Sequence, residues 1–454
     1  MHTLVFDIGK THKKCLIFDP SGEVVVEEET RLPCGQDEDG DPLEDLDLLR
    51  TWVLETFQHF ATDTHYSISR INAAAYGASL VHVNAQAEPV FPLYDYLKPF
   101  PEDLKESFLE AYGPEEKLCQ ETASPWLGML NAGLQMYRLQ QHQPDRWEHV
   151  QASLHLPQYV AGLLSGQWVN EGTSMGCHTL LWDFDAGGLH AWVRAARLQR
   201  TLPTLVPTTH TLGTGAYGQI GVGIHDSSAA LVPFFYAAGK ASFLLISTGT
   251  WCITLNPFAS EPLTSEELRR DCLCYLSFQG QPVKASRLFL GKEHEWQTRR
   301  LAFHFGVSPL FYQELKPDEA LFDRLEAGII GQAPFYPETM AGTGPFPEPP
   351  QGTWDLSVYD TYAAAYHDLM RALAGMVATS VALVGGMTGI EKAYVDGGFA
   401  RNAVFLAALQ RALPGLPLEV AKIPQATALG AALVVNQDQA AFLNRAWEFR
   451  KLSE

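Results

Sequence analysis

Asp7, Gly9, Lys10 and Thr11 stand together in FDIGKTHKKCLIF, residues 6–18, with two more lysines close behind. A carboxylate beside Gly-Lys-Thr is a set of groups suited to phosphate, and Gly-Lys-Thr also closes the P-loop motif. That motif needs a glycine five positions before Gly9, where this chain has Leu4, so the backbone cannot wrap a phosphate as a P-loop does. Any phosphate chemistry here must use another geometry.

Other stretches carry reactive types. GTGAYG at 213–218 matches G-x-G-x-x-G, but it follows a Pro/Thr loop and opens no evident helix, which argues against a Rossmann site. GTSMG at 172–176 matches the nucleophile elbow around Ser174 without a clear strand–turn–helix setting. GKEHEW is not the zinc motif H-E-x-x-H, because Thr298 occupies the second histidine position. HDSSAAL at 225–231 reads as a helix N-terminus with Asp226 as its N-cap.

Elements must position these groups. Residues 3–6, 15–18 and 24–26 are β-prone runs about polar turns and predict an N-terminal meander. Apolar spacing predicts helices over 45–61 and 126–140, and a short one over 156–166 stopped by Gly166. FLLISTGTWCITL, about 240 residues after the first hairpin, repeats its plan of strand, Gly/Thr turn and strand. Two related halves would each offer one hairpin turn to a shared cleft. In EKAYVDGGFARNAVFLAALQRAL, 391–413, a strand reaches Gly397-Gly398 before a helix, and a glycine pair there lets a ligand approach the backbone. ATALGAALVV, 426–435, is a helix of small residues suited to close packing. The Pro/Gly-rich segment 333–353 reads as a surface loop.

The gross numbers limit the partners. With 454 residues two or three domains are expected, and 46% hydrophobic with 19% charged residues suits a globular chain. A net charge of −20 argues against a nucleic-acid partner. Seven scattered cysteines suit a reducing cytoplasm rather than a disulfide framework, and Cys272 and Cys274 lack a second pair at zinc spacing. The apolar run 372–387 is shorter than the ~20 residues of a membrane helix, and no signal peptide is expected.

FDIGKTHKKCLIFD, HDSSAA, ISTGTW and VDGGFARN with ATALGAAL, in that order, resemble the FGGY carbohydrate kinases of the actin/hexokinase-like superfamily. The resemblance spans essentially the whole chain. It implies an α/β fold of two ribonuclease H-like domains, with residues 1–235 binding sugar and residues 236–454 binding adenosine. It further implies ATP and Mg²⁺, transfer to a primary hydroxyl of a small sugar, and a cleft closing about a hinge near 230–242. Asp226 would be the catalytic base and Asp7 the Mg²⁺ ligand. Gly9, Lys10, Thr11 and Lys14 would contact the nucleotide from the first hairpin, and Thr248, Gly249 and Thr250 from the second. Gly397, Gly398 and Asn402 would bound the adenosine. Lys13 and Lys14 alternate along a strand, so only one of them should face the phosphates.

His225 with Asp226 would contact the sugar, and Tyr76, Ser79, Asp95 and Glu171 are further contacts by position. HDSSAA is most similar to the L-rhamnulose kinases, with the L-fuculose kinases next. Lys10 and Lys14 depart from the family's usual threonine and arginine, and residues 76–96 lack its usual Trp-x-Asp-x-Arg ending. The alternatives are a non-catalytic sugar- or nucleotide-binding regulator on the same fold and a serine hydrolase. The partner is a small sugar, without nucleic acid or membrane, and a homodimer is compatible.

Overall fold

Thr3 to Phe6 form an unbroken buried run, as expected of a strand covered on both faces. In the computed structural model, which describes residues 1–213, 218–421, 423, 425–438, 442 and 449–452, that run is the centre of β1 (His2–Ile8). β2 (Lys13–Phe18) lies antiparallel to it, pairing Asp7 with Lys14 and Ile8 with Lys13. β3 (Val24–Thr30) extends the meander, and its exposed Glu27, Glu28 and Glu29 blunt an open sheet edge.

On the other side of β1, after α1 (Leu46–Thr62), β4 (Ile68–Ala75) runs parallel. The helix α2 (Leu156–Ser165) ends at Gly166, whose φ of 71° is the left-handed stop expected from sequence. Two short strands, β5 (Thr211–Leu212) and β6 (Gln219–Gly221), continue the sheet in the order β5-β6-β4-β1-β2-β3. The glycine-rich match at 213–218 lies for the most part outside the described residues. β7 (Ile224–His225) also pairs with β4 and leads straight into α3 (Asp226–Ala238). Asp226 is thus the first helical residue, one step inside the N-cap position expected for it.

Residues Met1–Ala237, Cys274–Pro282 and Pro424–Ala446 form one compact unit. The helix Ala426–Val435 packs in it: Asn72 Nδ2 donates to the Ala431 carbonyl at 2.8 Å. A Cβ on Gly430 would lie 1.8 Å from the Ala229 carbonyl of α3, so this small-residue helix is where close packing requires it.

The second unit holds Ala238–Leu273, Val283–Ile423 and Trp447–Glu454. Here β8 (Phe243–Thr248) pairs antiparallel with β9 (Cys252–Asn256), which pairs with β10 (Pro282–Leu288). After α4 (Leu290–Phe305) and α5 (Tyr362–Leu383), β11 (Lys392–Gly397) runs parallel to β8 on its other side. α6 (Ala403–Ala412), β12 (Leu418–Ala421) and β13 (Phe449–Lys451) follow, giving the order β10-β9-β8-β11-β12-β13. This repeats β3-β2-β1-β4 of the first unit, so the faint likeness of the two hairpins reflects a shared sheet plan. Much of the apolar run 372–387 lies in α5, whose Leu373 and Val377 are core residues. No helix among the described residues is long and apolar enough to cross a membrane.

Candidate functional site

In the first unit the hairpin turn closes through Gly9 N–H, which donates to the His12 carbonyl at 2.9 Å. Asp7 sits at the end of β1 beside it, and β7 brings Asp226 to the end of the neighbouring strand. Removal from water, reinforced by the charge of Asp226, pushes the Asp7 pKa to about 7. The Asp226 side chain is 32% exposed, yet protein surrounds it closely enough that desolvation pushes its pKa to about 6. Its Oδ1 accepts from the Ser227 N–H at 2.5 Å, which partly offsets that push. With that value the carboxyl is mostly ionised at neutral pH.

Both carboxyls therefore carry folded-state pKa values above those of an unfolded chain. The folded protein holds more protons between pH ~4 and the folded values, and its stability falls as pH rises through that window. Asp7→Asn should accordingly raise Tm at pH 8 and leave it close to the unsubstituted protein at pH 4, as a pair of calorimetric scans will show. Two desolvated carboxyls, with the Asp226 charge raising the pKa of Asp7, form a donor set suited to a hard dication such as Mg²⁺.

His225 lies behind Asp226 and is buried, with a pKa pushed to about 3, so the ring is neutral. Its Nε2 is 3.1 Å from Cys177 Sγ and 3.2 Å from Asp226 Oδ1. A Cβ on Gly77 would come within 3.1 Å of Nε2, so the glycine leaves room for the imidazole. The geometry corrects the expected sugar contact: His225 supports Asp226 from the protein side.

Three other expectations change. Lys10 was expected on the nucleotide; its ammonium is 3.0 Å from Asp95 and lies 5.4 and 5.0 Å from the ring centres of Tyr76 and Tyr96. It stands among residues expected to contact sugar. Lys14, expected on the phosphates, pairs with Glu27 at 2.9 Å and Glu29 at 3.5 Å. Glu171 is fully buried and accepts from Thr173 N and Oγ1, Ser174 N and Thr208 Oγ1. No face of it is left for sugar. Thr173 in turn accepts the His225 N–H at 3.0 Å, so Glu171 fixes the strand that leads to Asp226.

Ser79 is buried and donates to the Gly77 carbonyl, and Tyr76 OH donates to Glu44. Ser174 is also buried, and no imidazole bonds its hydroxyl among the described residues, which removes the activation a hydrolase needs. The acidic cluster Asp37, Asp39 and Asp41 already holds a cation: Lys98 Nζ donates to all three within 2.8 Å.

In the second unit Gly249 N–H donates to the Trp251 carbonyl at 2.8 Å, a closure one residue tighter than that at Gly9. Thr250 is exposed at the tip. Thr248, expected to contact phosphate, is buried; its hydroxyl donates to the Asp396 carbonyl at 2.5 Å and accepts from Phe399 N–H at 3.0 Å. It ties β8 to the glycine turn instead. Gly397 has φ 87°, and a Cβ there would lie 1.8 Å from the Thr248 carbonyl. Asn402 caps α6 by accepting from Phe405 N–H and donates to Tyr366 OH at 2.8 Å.

A cavity of about 290 Å³ is lined by Thr250, Lys292, Glu295, Tyr312, Gly398 and Asn402, among others, and a second of about 500 Å³ shares Tyr312, Gly398 and Asn402 with it. Lys292, Glu295 and Tyr312 are site residues that sequence reasoning missed. Lys292 and Glu295 fall in GKEHEW, which the sequence offered only as a failed zinc motif. A Cβ on Gly291 would lie 2.3 Å from the Gly249 carbonyl, which brings α4 against the hairpin. Buried Glu293 then accepts from the N–H groups of Glu338, Thr339 and Met340 and anchors the Pro/Gly-rich loop.

Residues 240–442 match the C-terminal domain of the carbohydrate kinase FGGY family. No curated protein matches the chain. A carbohydrate kinase structure from Novosphingobium aromaticivorans is similar at TM-score 0.85 and 23% identity, over 99% of this chain and 93% of that one. Xylulose kinase from Rhodospirillum rubrum gives 0.79 and 15%, over 99% and 94%. Glycerol kinase from Plasmodium falciparum, solved with ADP, gives 0.73 and 13%, over 99% and 93%. At these identities the likeness is one of fold, that of two ribonuclease H-like, actin/hexokinase-like domains, as the sequence led us to expect.

Proposed function

We infer that this chain, whose residues 240–442 match the C-terminal domain of the FGGY carbohydrate kinases, is an ATP-dependent sugar kinase that phosphorylates a primary hydroxyl of a small neutral ketose, with Asp226 as general base. The observation that carries the reading is the Asp226 carboxyl, with a pKa of about 6, just past β7, which pairs with the end of β4, the strand beside the β1 end that carries Asp7. A base of that pKa is mostly ionised at neutral pH, yet takes up a proton more readily than an ordinary carboxylate. As the sugar hydroxyl attacks the γ-phosphorus, the Asp226 carboxylate receives its proton, and the phosphoryl leaves ADP in line. Neutral His225 and the Ser227 N–H hold the carboxylate in place meanwhile.

Asp7 would hold a magnesium ion, which would supply charge neutralisation at the phosphate oxygens, while Asp226 stays the proton acceptor. The Gly9–Thr11 turn and the Gly249–Thr250 turn offer N–H groups to phosphates. The cavity beside Gly398 and Asn402, with Lys292 at its wall, suits the nucleoside end. Free cysteines throughout suit the cytoplasm, where ATP is abundant.

Charge bears on the sugar. Structures of the same fold include xylulose, gluconate and glycerol kinases. Asp7, Asp95 and Asp226 outnumber the cations near them, because Lys10 is committed to Asp95 and Lys14 to Glu27. An aldonate would meet repulsion there, so a neutral substrate is favoured. Within neutral sugars the HDSSAA segment supports an L-ketose, L-rhamnulose first and L-fuculose second. A coupled ADP-release assay with ATP–Mg²⁺ over ketoses, polyols and aldonates tests this. Turnover is expected with an L-ketose and not with gluconate; a gluconate-specific enzyme would overturn the neutral-sugar reading, and silence with every sugar the kinase reading itself.

A further inference from the structure

Lys13 has one of the least expected environments in the chain: a lysine ammonium with a side chain only 3% exposed. Its Nζ donates to the carbonyls of Gly9 at 3.0 Å and Lys10 at 3.2 Å and pairs with Glu44, itself 5% exposed. Glu44 ends a short strand, Pro42–Glu44, that pairs with Leu93–Tyr94, and its other oxygen accepts from Tyr76 OH. All three ammonium protons thus have acceptors, two of them on the turn itself.

That arrangement dictates where the turn's N–H groups point. In a trans peptide the carbonyl and the following N–H are antiparallel, and the described chain has no cis peptide bond. Two successive carbonyls converging on one ammonium therefore send the N–H groups of Lys10 and Thr11 to the opposite side. Neither donates to a protein acceptor, while Gly9 N–H is used to close the turn. Adjacent N–H groups aimed the same way form an anion-binding concavity.

We propose that Lys13, clamped by Glu44, is a positioning residue that orients the Lys10 and Thr11 amides toward the nucleotide phosphates. The same chain runs through Glu44 to Tyr76 and so joins the phosphate turn to the residues around Lys10 and Asp95. This rests on the reading of the 9–11 turn as a phosphate contact. Lys13 does not touch the nucleotide; it acts through the peptide planes. The two adjacent lysines divide as strand alternation requires, Lys13 beneath the turn and Lys14 on the β3 side.

The test compares KM for ATP and kcat in Lys13→Met/Glu44→Gln, which is neutral throughout and keeps an acceptor for Tyr76, with Thr11→Pro, which deletes one amide proton. Both should raise KM for ATP by about tenfold or more, equivalent to ~1.4 kcal/mol. KM for the sugar should move far less. A merely structural role would lower kcat with the folded fraction and leave KM unmoved. Lys13→Arg, which keeps charge and donors, should hold KM for ATP within about threefold of the native value, a shift below ~0.7 kcal/mol.

If Thr11→Pro raises KM and the double variant does not, the positioning role is overturned and the phosphate contact stands. An Arg variant as impaired as the neutral pair overturns it too. If Thr11→Pro leaves KM for ATP unchanged, the phosphate contact itself fails and the inference falls with it.

Discussion

Asp226→Asn is expected to bind ATP with near-native affinity while losing turnover by ~10²–10⁴-fold, the usual contribution of a general base. The substitution keeps the size of the side chain and its acceptor for the Ser227 N–H, so the start of α3 has no reason to move. What it removes is the group that receives the hydroxyl proton. It also removes a carboxyl whose folded pKa of about 6 exceeds that of an unfolded chain. The variant should therefore melt higher than the native protein above pH 7, where the native group is ionised at a cost. Loss of activity with a gain in Tm is a signature that damage to the fold cannot produce. Native turnover in Asp226→Asn would remove the base from the mechanism.

The second large effect is expected at Gly397. Its φ of 87° and ψ of −153° form a backbone state nearly reserved for glycine. Any Cβ would also lie 1.8 Å from the Thr248 carbonyl, an atom fixed within a paired strand. Strain of ~1–3 kcal/mol and overpacking of ~1–3 kcal/mol together make Gly397→Ala cost about 2–6 kcal/mol. The cost falls on the second unit, since Thr248 and Phe399 are tied across that contact by the hydroxyl at 3.0 Å. Denaturant unfolding should show an early transition for that unit, and ATP should no longer raise Tm. An alanine variant with native stability and native ATP protection would show that the approach of the two strands is not what shapes the turn.

How much of this was legible beforehand divides by range. The two hairpins, the helix stopped at Gly166, the small-residue helix and the strand that ends at Gly397 follow from apolar period and turn residues within a dozen positions. Those signals act locally, so the order of residues carries them. The glycine pair marked a close approach correctly, although which backbone approaches it, that of Thr248, is not written nearby.

Side-chain partners came from farther off. Glu171 looked like a polar residue able to meet sugar, and the fold surrounds it with its own donors. Thr248 looked like a phosphate contact because its hydroxyl sits in a phosphate-type turn; the parallel strand β11 takes that hydroxyl instead. Lys292, Glu295 and Tyr312 carried no recognisable motif, and only the contact of Gly291 with Gly249 brings them to the cavity.

The sequence alone determined that two glycine turns and a lone aspartate at a helix start would be made, because turn geometry and strand pattern are fixed by neighbours along the chain. Tertiary structure decided which lysine lies beneath the turn, which carboxyls resist ionisation and which polar groups remain available. Those outcomes depend on desolvation and on partners from distant segments: Glu44 for Lys13, Asp95 for Lys10, Asp226 for Asp7. A charge's fate is set by everything packed around it, and no stretch of chain contains its own surroundings.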